Sequence, residues 1–164
     1  MKLKINYLYI LGFLLILQSC GGSADASKVS KTNQLVDSMQ FEIQHEWANP
    51  IIGGRINLIG NPNYIRFNKD SVDLFLPYFG ERYSGGGYNS EGGIVYKGLI
   101  EDLDVNTEDK NTQIKFSADK GTESLNFMIT VYSEGSVDTR VTSSDRSFIS
   151  YQGQIDELKN EKEE

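Results

Sequence analysis

One histidine, one cysteine and one tryptophan occur in a chain of 164 residues, and each limits the chemistry on offer. His45 is where any Ser-His-Asp or Cys-His nucleophile system would have to find its base. It alternates with Phe41, Ile43 and Trp47 on an apolar face, the setting of a core or edge histidine, and no Gly-x-Ser-x-Gly elbow accompanies it. Asp102, Asp104 and Asn106 open like a calcium loop. Thr107 then stands where that loop needs glycine and Gln113 where it needs a bidentate glutamate, so a solvated acidic loop accounts for the same residues. Two carboxylates across a cleft could hydrolyse a glycoside, yet no spacing picks out a pair. No catalytic set emerges and no cofactor is expected.

Gly85 to Gly93 has the composition of a phosphate loop but neither its Gly-Lys-Ser/Thr ending nor a following helix. It reads as a connection long enough to serve as a lid or binding loop. Tyr78, Phe79 and Tyr83 precede it, Tyr88 lies within it, and the four form the candidate binding cluster. Four aromatics with polar tips would offer flat contact to sugars, peptides or lipid-like ligands. The plainer account is that Tyr78 and Phe79 plug the end of a sheet, with Pro77 and Gly80 shaping the turn.

The elements that must position these residues follow from periodicity. Val29, Leu35, Val36 and Met39 recur at helical spacing, which predicts a short amphipathic helix over 27–40. Beyond it the period is two. Strands are predicted at 41–47, 55–59, 64–68, 72–76, 94–100, 114–118, 125–131, 137–141 and 148–155, separated by turns such as Asn49-Pro50, Lys69-Asp70-Ser71 and Asp119-Lys120-Gly121. About nine strands with one N-terminal helix predict an antiparallel all-β fold, as a curved sheet, sandwich or open barrel. Sixteen glycines, three prolines, nine tyrosines and eight phenylalanines suit that class better than a helical bundle. A net charge of −7 argues against nucleic acid and against a polybasic hold on lipid.

The first residues have a different purpose. Met1-Lys2-Leu3-Lys4 is basic, Ile5 to Leu17 is largely apolar but short for a membrane span, and Leu17-Gln18-Ser19-Cys20 resembles a bacterial lipobox. The expected organisation is a signal peptide over 1–19, a lipidated tether over 20–27 with Cys20 carrying the lipid, one β domain over 28–155 and a charged flexible tail over 156–164. Acyl chains at roughly 0.8 kcal/mol per buried methylene make a stable anchor without a spanning helix. An ordinary secretory signal or an uncleaved short helix are the alternatives.

Ala48-Asn49-Pro50, Asn63-Tyr64, Leu76-Pro77-Tyr78-Phe79-Gly80, Gly92-Gly93-Ile94, Ser143-Ser144-Asp145-Arg146 and Ile149-Ser150-Tyr151-Gln152-Gly153 follow the lipobox in order. Together they resemble the lipoprotein family known as domain of unknown function 4251. The resemblance implies an envelope lipoprotein and no reaction. The expectation is a membrane-anchored protein, placed at the outer membrane facing the periplasm, that binds an unknown envelope ligand or protein without catalysis. The alternatives are a structural or assembly component and, last, a carboxylate hydrolase.

Overall fold

The computed structural model describes residues 22–83 and 92–159. Cys20, Tyr88 and the stretch from Gly85 to Glu91 lie outside them. The chain opens with helix α1 (Gly22–Ser38), longer than predicted because the described part of the expected tether is helical as well. Ala26 favours this, alanine having the highest helix propensity. Thr32 and Val36 are buried and Val29, Leu35 and Met39 half-buried, spaced by three and four along one face. Met39 ends the helix in the left-handed region, with φ 49° and its N–H on Val36 O at 3.0 Å.

Ten strands follow: β1 (Gln40–Pro50), β2 (Ile56–Asn57), β3 (Tyr64–Asn68), β4 (Ser71–Pro77), β5 (Gly93–Leu99), β6 (Glu101–Thr107), β7 (Asn111–Lys120), β8 (Glu123–Tyr132), β9 (Ser136–Ser143) and β10 (Ile149–Glu157). The predicted strand over 55–59 shrinks to the two residues of β2, whereas the acidic run expected as a loop is strand β6. Likewise, the tail expected from Asp156 starts inside β10, where Lys31 of α1 reaches Asp156 at 3.2 Å and Glu157 at 3.1 Å.

The fold is a nearly closed antiparallel barrel of nine strands in the order β5-β4-β3-β1-β10-β9-β8-β7-β6, with β2 paired to β1 off the ring. The first and last strands of the chain therefore pair, and the seam falls mid-chain. Eight antiparallel steps separate β5 from β6, so both run the same way, and Ile100 alone joins them. They amount to one long strand bent at Ile100 that exchanges β4 for β7 as its partner, with β5 passing close to β7. A sheet closes on itself in this manner only when its strands are tilted and staggered.

Alternation fills the interior. Phe41, Phe67, Phe116 and Phe127 cross it from β1 and β3 to β7 and β8, with ring centroids 4.7, 5.5 and 4.6 Å apart in turn. Leu74, Leu76, Ile114, Leu125, Ile129 and Tyr151 complete a core without exposed surface to speak of. Small barrels of about eight strands are just wide enough for side chains to fill.

One register shift matters outside the barrel. Between His45 and Trp47, β1 carries a β-bulge against β10. Phe41, Ile43 and His45 point inward, but after the bulge the buried residue is Ala48, and Trp47 is turned to the outer face. The expected shared face of His45 and Trp47 is thereby overturned, since one extra residue inverts a period of two. Gly153 permits the bulge: a Cβ there would collide with Gln44 O and the His45 Cα. Asn63 repairs the interrupted ladder, its Oδ1 accepting the His45 N–H at 2.7 Å and its Nδ2 donating to His45 O at 3.0 Å. We expect Gly153→Ala to cost about 1–3 kcal/mol, the range for overpacking, measured as a lowered midpoint in denaturant with an unchanged slope.

Candidate functional site

The two ends of the barrel are closed by different means. At one end α1 packs against β1 and β10. At the other, the loop between β9 and β10 folds inward and places Arg146 across the seam. Its Nε and Nη2 donate to Glu123 Oε1 and Oε2 at 2.6 and 3.0 Å, and its Nη1 donates to Gly93 O at 2.9 Å. One guanidinium thus joins β5 to β8 where no ladder does. Ser143 Oγ adds a bond to Glu123 at 2.6 Å, and both charges are buried. Burial pushes the Glu123 carboxyl upward. The bonds from Arg146 and Ser143, with the charges of Arg146 and Arg82, outweigh that and hold it below its ordinary range.

This end also receives the first part of the candidate aromatic cluster. Tyr78 is half-buried, its hydroxyl within 2.8 Å of Glu81 O and 2.9 Å of Ser147 O and Oγ, and its ring 5.3 Å from the Arg146 guanidinium carbon. Tyr151 donates to Pro77 O at 2.9 Å. Tyr78 therefore pins the plug and presents no free polar tip to a ligand. Phe79 and Tyr83 are exposed, at 43% and 67%. Tyr78 turns inward to the loop carrying Ser147, whereas Phe79 and Tyr83 keep exposed rings, and the Tyr83 N–H donates to Asp145 O of that same loop at 2.7 Å; Tyr88 lies outside the described residues.

The remaining sequence candidates are placed as follows. Asp102, Asp104 and Asn106 sit on the exposed strand β6, where alternate residues are about 6.6–6.8 Å apart. Extended chain does not wrap them round one cation, Asp102 occupies a bulge with φ 50°, and Asp104 lies 3.7 Å from Lys115. Among the described residues no three His, Cys, Asp or Glu converge as metal ligands. His45 is buried in the barrel, its Nε2 2.9 Å from Thr139 Oγ1 and its Nδ1 without a partner. Burial lowers its pKa to about 3, with the Asn63 contact opposing.

The structure adds a site that the sequence does not announce. A groove of about 380 Å³ runs over the outer face of β8, β9, β10 and β1. Register explains its floor: Asp138, Gln152 and Trp47 stand directly opposite one another from β9 to β1. Tyr132 donates to Asp138 Oδ2 and Gln152 to Asp138 Oδ1, both at 3.1 Å. Arg55 lies over the Trp47 ring, 4.1 Å from its centroid. Glu134 accepts from Ser136 at 2.8 Å, which with its backbone bond holds its carboxyl below the ordinary range. No local pattern marks the groove, because only the bulge brings Trp47 outside.

Comparison with known proteins gives the following. The family described as domain of unknown function, DUF4251, matches residues 23–155. The crystal structure of a DUF4251 family protein from Bacteroides eggerthii is similar with a TM-score of 0.62 at 16% identity, over 82% of this chain and 91% of that one. At that identity the likeness concerns the fold. No curated protein matches. Among the described residues no helix is long and apolar enough to cross a membrane.

The buried imidazole yields a pH prediction. The unfolded chain takes up a proton near pH 6.5, whereas the folded chain takes it up only near pH 3. Stability from this group is therefore complete above pH 6.5 and declines as pH falls toward 3. Because His45 is the sole histidine, its NMR signals report the site alone; they are expected to stay those of a neutral ring down to pH 4, and a midpoint near 6.5 would refute the burial argument.

Proposed function

This chain belongs to the DUF4251 family, and we propose that it is a lipid-tethered envelope protein whose barrel binds a ligand or partner on its outer face without transforming it. The observation that carries this reading is the filled interior: four phenylalanines cross the lumen, so a guest has no place inside, while the polar and aromatic groups with free surface lie outside. A lumen packed to this degree supports contact through the wall of the barrel over enclosure of a small molecule.

A non-catalytic role is supported by Glu134, one of the groove's carboxylates. General acid catalysis needs a carboxyl with a raised pKa. Glu134 is shifted the other way by the Ser136 hydroxyl. His45, the one imidazole, is sealed from the groove in the core. The tether rests on the sequence, in which Leu17-Gln18-Ser19-Cys20 closes a short apolar segment. Placement at the outer membrane, facing the periplasm, belongs to the same proposal.

A second reading, a structural or assembly component, is favoured by β6. That strand pairs with β7 on one side only, is exposed throughout and carries Leu103 and Val105 outward among its acids. Strand edges of this kind add further strands readily.

Two measurements test the proposal. Mass spectrometry of the protein taken from its own cells should find Cys20 as the N-terminus carrying a diacylglycerol thioether; an unmodified thiol there removes the tether. Photo-crosslinking from position 154, in the groove, should yield a discrete envelope adduct, and from position 103 none of comparable yield. The reverse pattern would favour assembly through β6 and overturn the groove.

A further inference from the structure

We propose that the outer groove is a binding site for organic cations, taking a guanidinium or ammonium group against Trp47, and that Arg55 is its built-in occupant. This inference rests on the preceding reading that the outer face binds, and adds the chemical class of what it takes.

The argument begins with what already sits in the groove. The Arg55 guanidinium carbon lies 4.1 Å from the centroid of the Trp47 ring, a geometry in which the ring's negative face attracts a positive charge. Arg55 follows Gly53 and Gly54, at φ 104° and 78°, and a Cβ added at either would meet nothing within 4 Å. The occupant is thus held on a stretch of chain that stands clear of the barrel wall. Its own side chain is exposed, and no carboxylate among the described residues forms an ion pair with it.

The second observation is the charge of the walls. Glu46, Glu134 and Asp138 line the groove with Trp47, Tyr132 and Arg55. Asp138 is bonded by the Tyr132 hydroxyl and the Gln152 amide, and Glu134 by the hydroxyls of Ser133 and Ser136. Every one of those donors is neutral, and among the described residues none of the three carboxylates forms an ion pair. Three negative charges face one guanidinium, which is engaged with an aromatic ring. A cation entering the groove would gain carboxylates oriented in advance by neutral donors, at a low cost in reorganisation.

Stacking of a sugar on Trp47 would be the other use of such a groove. Arg55 occupies the ring's open face, however, so a neutral sugar would have to displace a charge that the ring attracts. An incoming guanidinium or ammonium replaces like with like. The cation could arrive on an arginine or lysine of another protein or as a free polyamine, and the two sources share this chemistry.

Trp47 is the sole tryptophan, so fluorescence of the full chain in nonionic detergent reads the site directly. The probes are the capped tripeptide acetyl-Gly-Arg-Gly-amide and spermidine, with acetyl-Gly-Gln-Gly-amide, which carries no ammonium, and sodium chloride at matched ionic strength as controls. A saturable change with either cationic probe is expected and absent from both controls. Response to the peptide alone assigns the ligand to a protein chain, and response to spermidine alone to a free polyamine. Arg55→Gln, which vacates the ring, should tighten binding about two- to fivefold, the weight of one exposed cation–π contact. Glu134→Gln, on an exposed turn where folding is not at risk, should weaken it by about two- to fivefold. No response from the original chain or from Arg55→Gln at millimolar probe, with far-ultraviolet dichroism intact, overturns the proposal. So does a response that sodium chloride reproduces. If crosslinking from position 154 still captures a partner in that case, the binding reading survives and the cation chemistry alone falls.

Discussion

The barrel depends on the contact of Arg146 with Glu123 and Gly93 O. Every other junction in the ring is a backbone ladder, but β5 and β7 lack one, since the chain bends at Ile100 and changes partner. A bidentate guanidinium–carboxylate pair with a third bond to a carbonyl bridges the gap with side-chain atoms, tying β5 to the first residue of β8, the strand that pairs with β7. Buried ion pairs repay their desolvation only when the geometry is good and the remaining lone pairs are satisfied. Ser143 fills one of these at Glu123, and Tyr78 covers the guanidinium from above. Removing one partner alone would strand a buried charge, which generally costs about 3–5 kcal/mol.

The same end of the molecule gives physical meaning to the sequence landmarks. Pro77 offers its carbonyl to Tyr151, Tyr78 anchors the loop at Ser147, and Gly80 leaves room for the Tyr78 hydroxyl. Gly93 and Arg146 meet directly. Stretches far apart in sequence therefore turn out to be parts of a single plug. Asn63 performs the corresponding task at the bulge in β1, standing in for backbone partners of His45. The bulge in turn creates the outer face: it sends Trp47 out beside Gln152 and Asp138, so the groove follows from the device that bends the strand.

Strands with a clean period of two were legible, as in Leu125, Phe127, Ile129 and Val131, because one face is wet and the other dry. Strand β6 was hidden by composition. Leu103 and Val105 alternate as a strand should, yet both are exposed and their neighbours are acids, so no buried face reinforced the signal. The helix face was legible except at Thr32, a polar residue buried beside Gly135. Arg146 and Glu123 are 23 positions apart in separate loops and hairpins, and only the closed topology makes them neighbours. Hydrophobic alternation puts Trp47 on the core face, because a bulge leaves no mark in that pattern until its partner strand is known. The aromatic cluster was half legible: Tyr78 does plug the sheet's end, for reasons carried by Ser147 and Arg146, residues remote in sequence.

The claim that side chains close this barrel is most directly tested by hydrogen exchange at the amides of Ile94 to Lys97 in Arg146→Met, compared with the original chain. If the guanidinium is the junction, these β5 amides lose protection by orders of magnitude while those of the β1–β10 pair keep theirs until global unfolding. Equal protection of β5 in both proteins would mean that the seam is held by something else, and the account of how this barrel closes would be wrong.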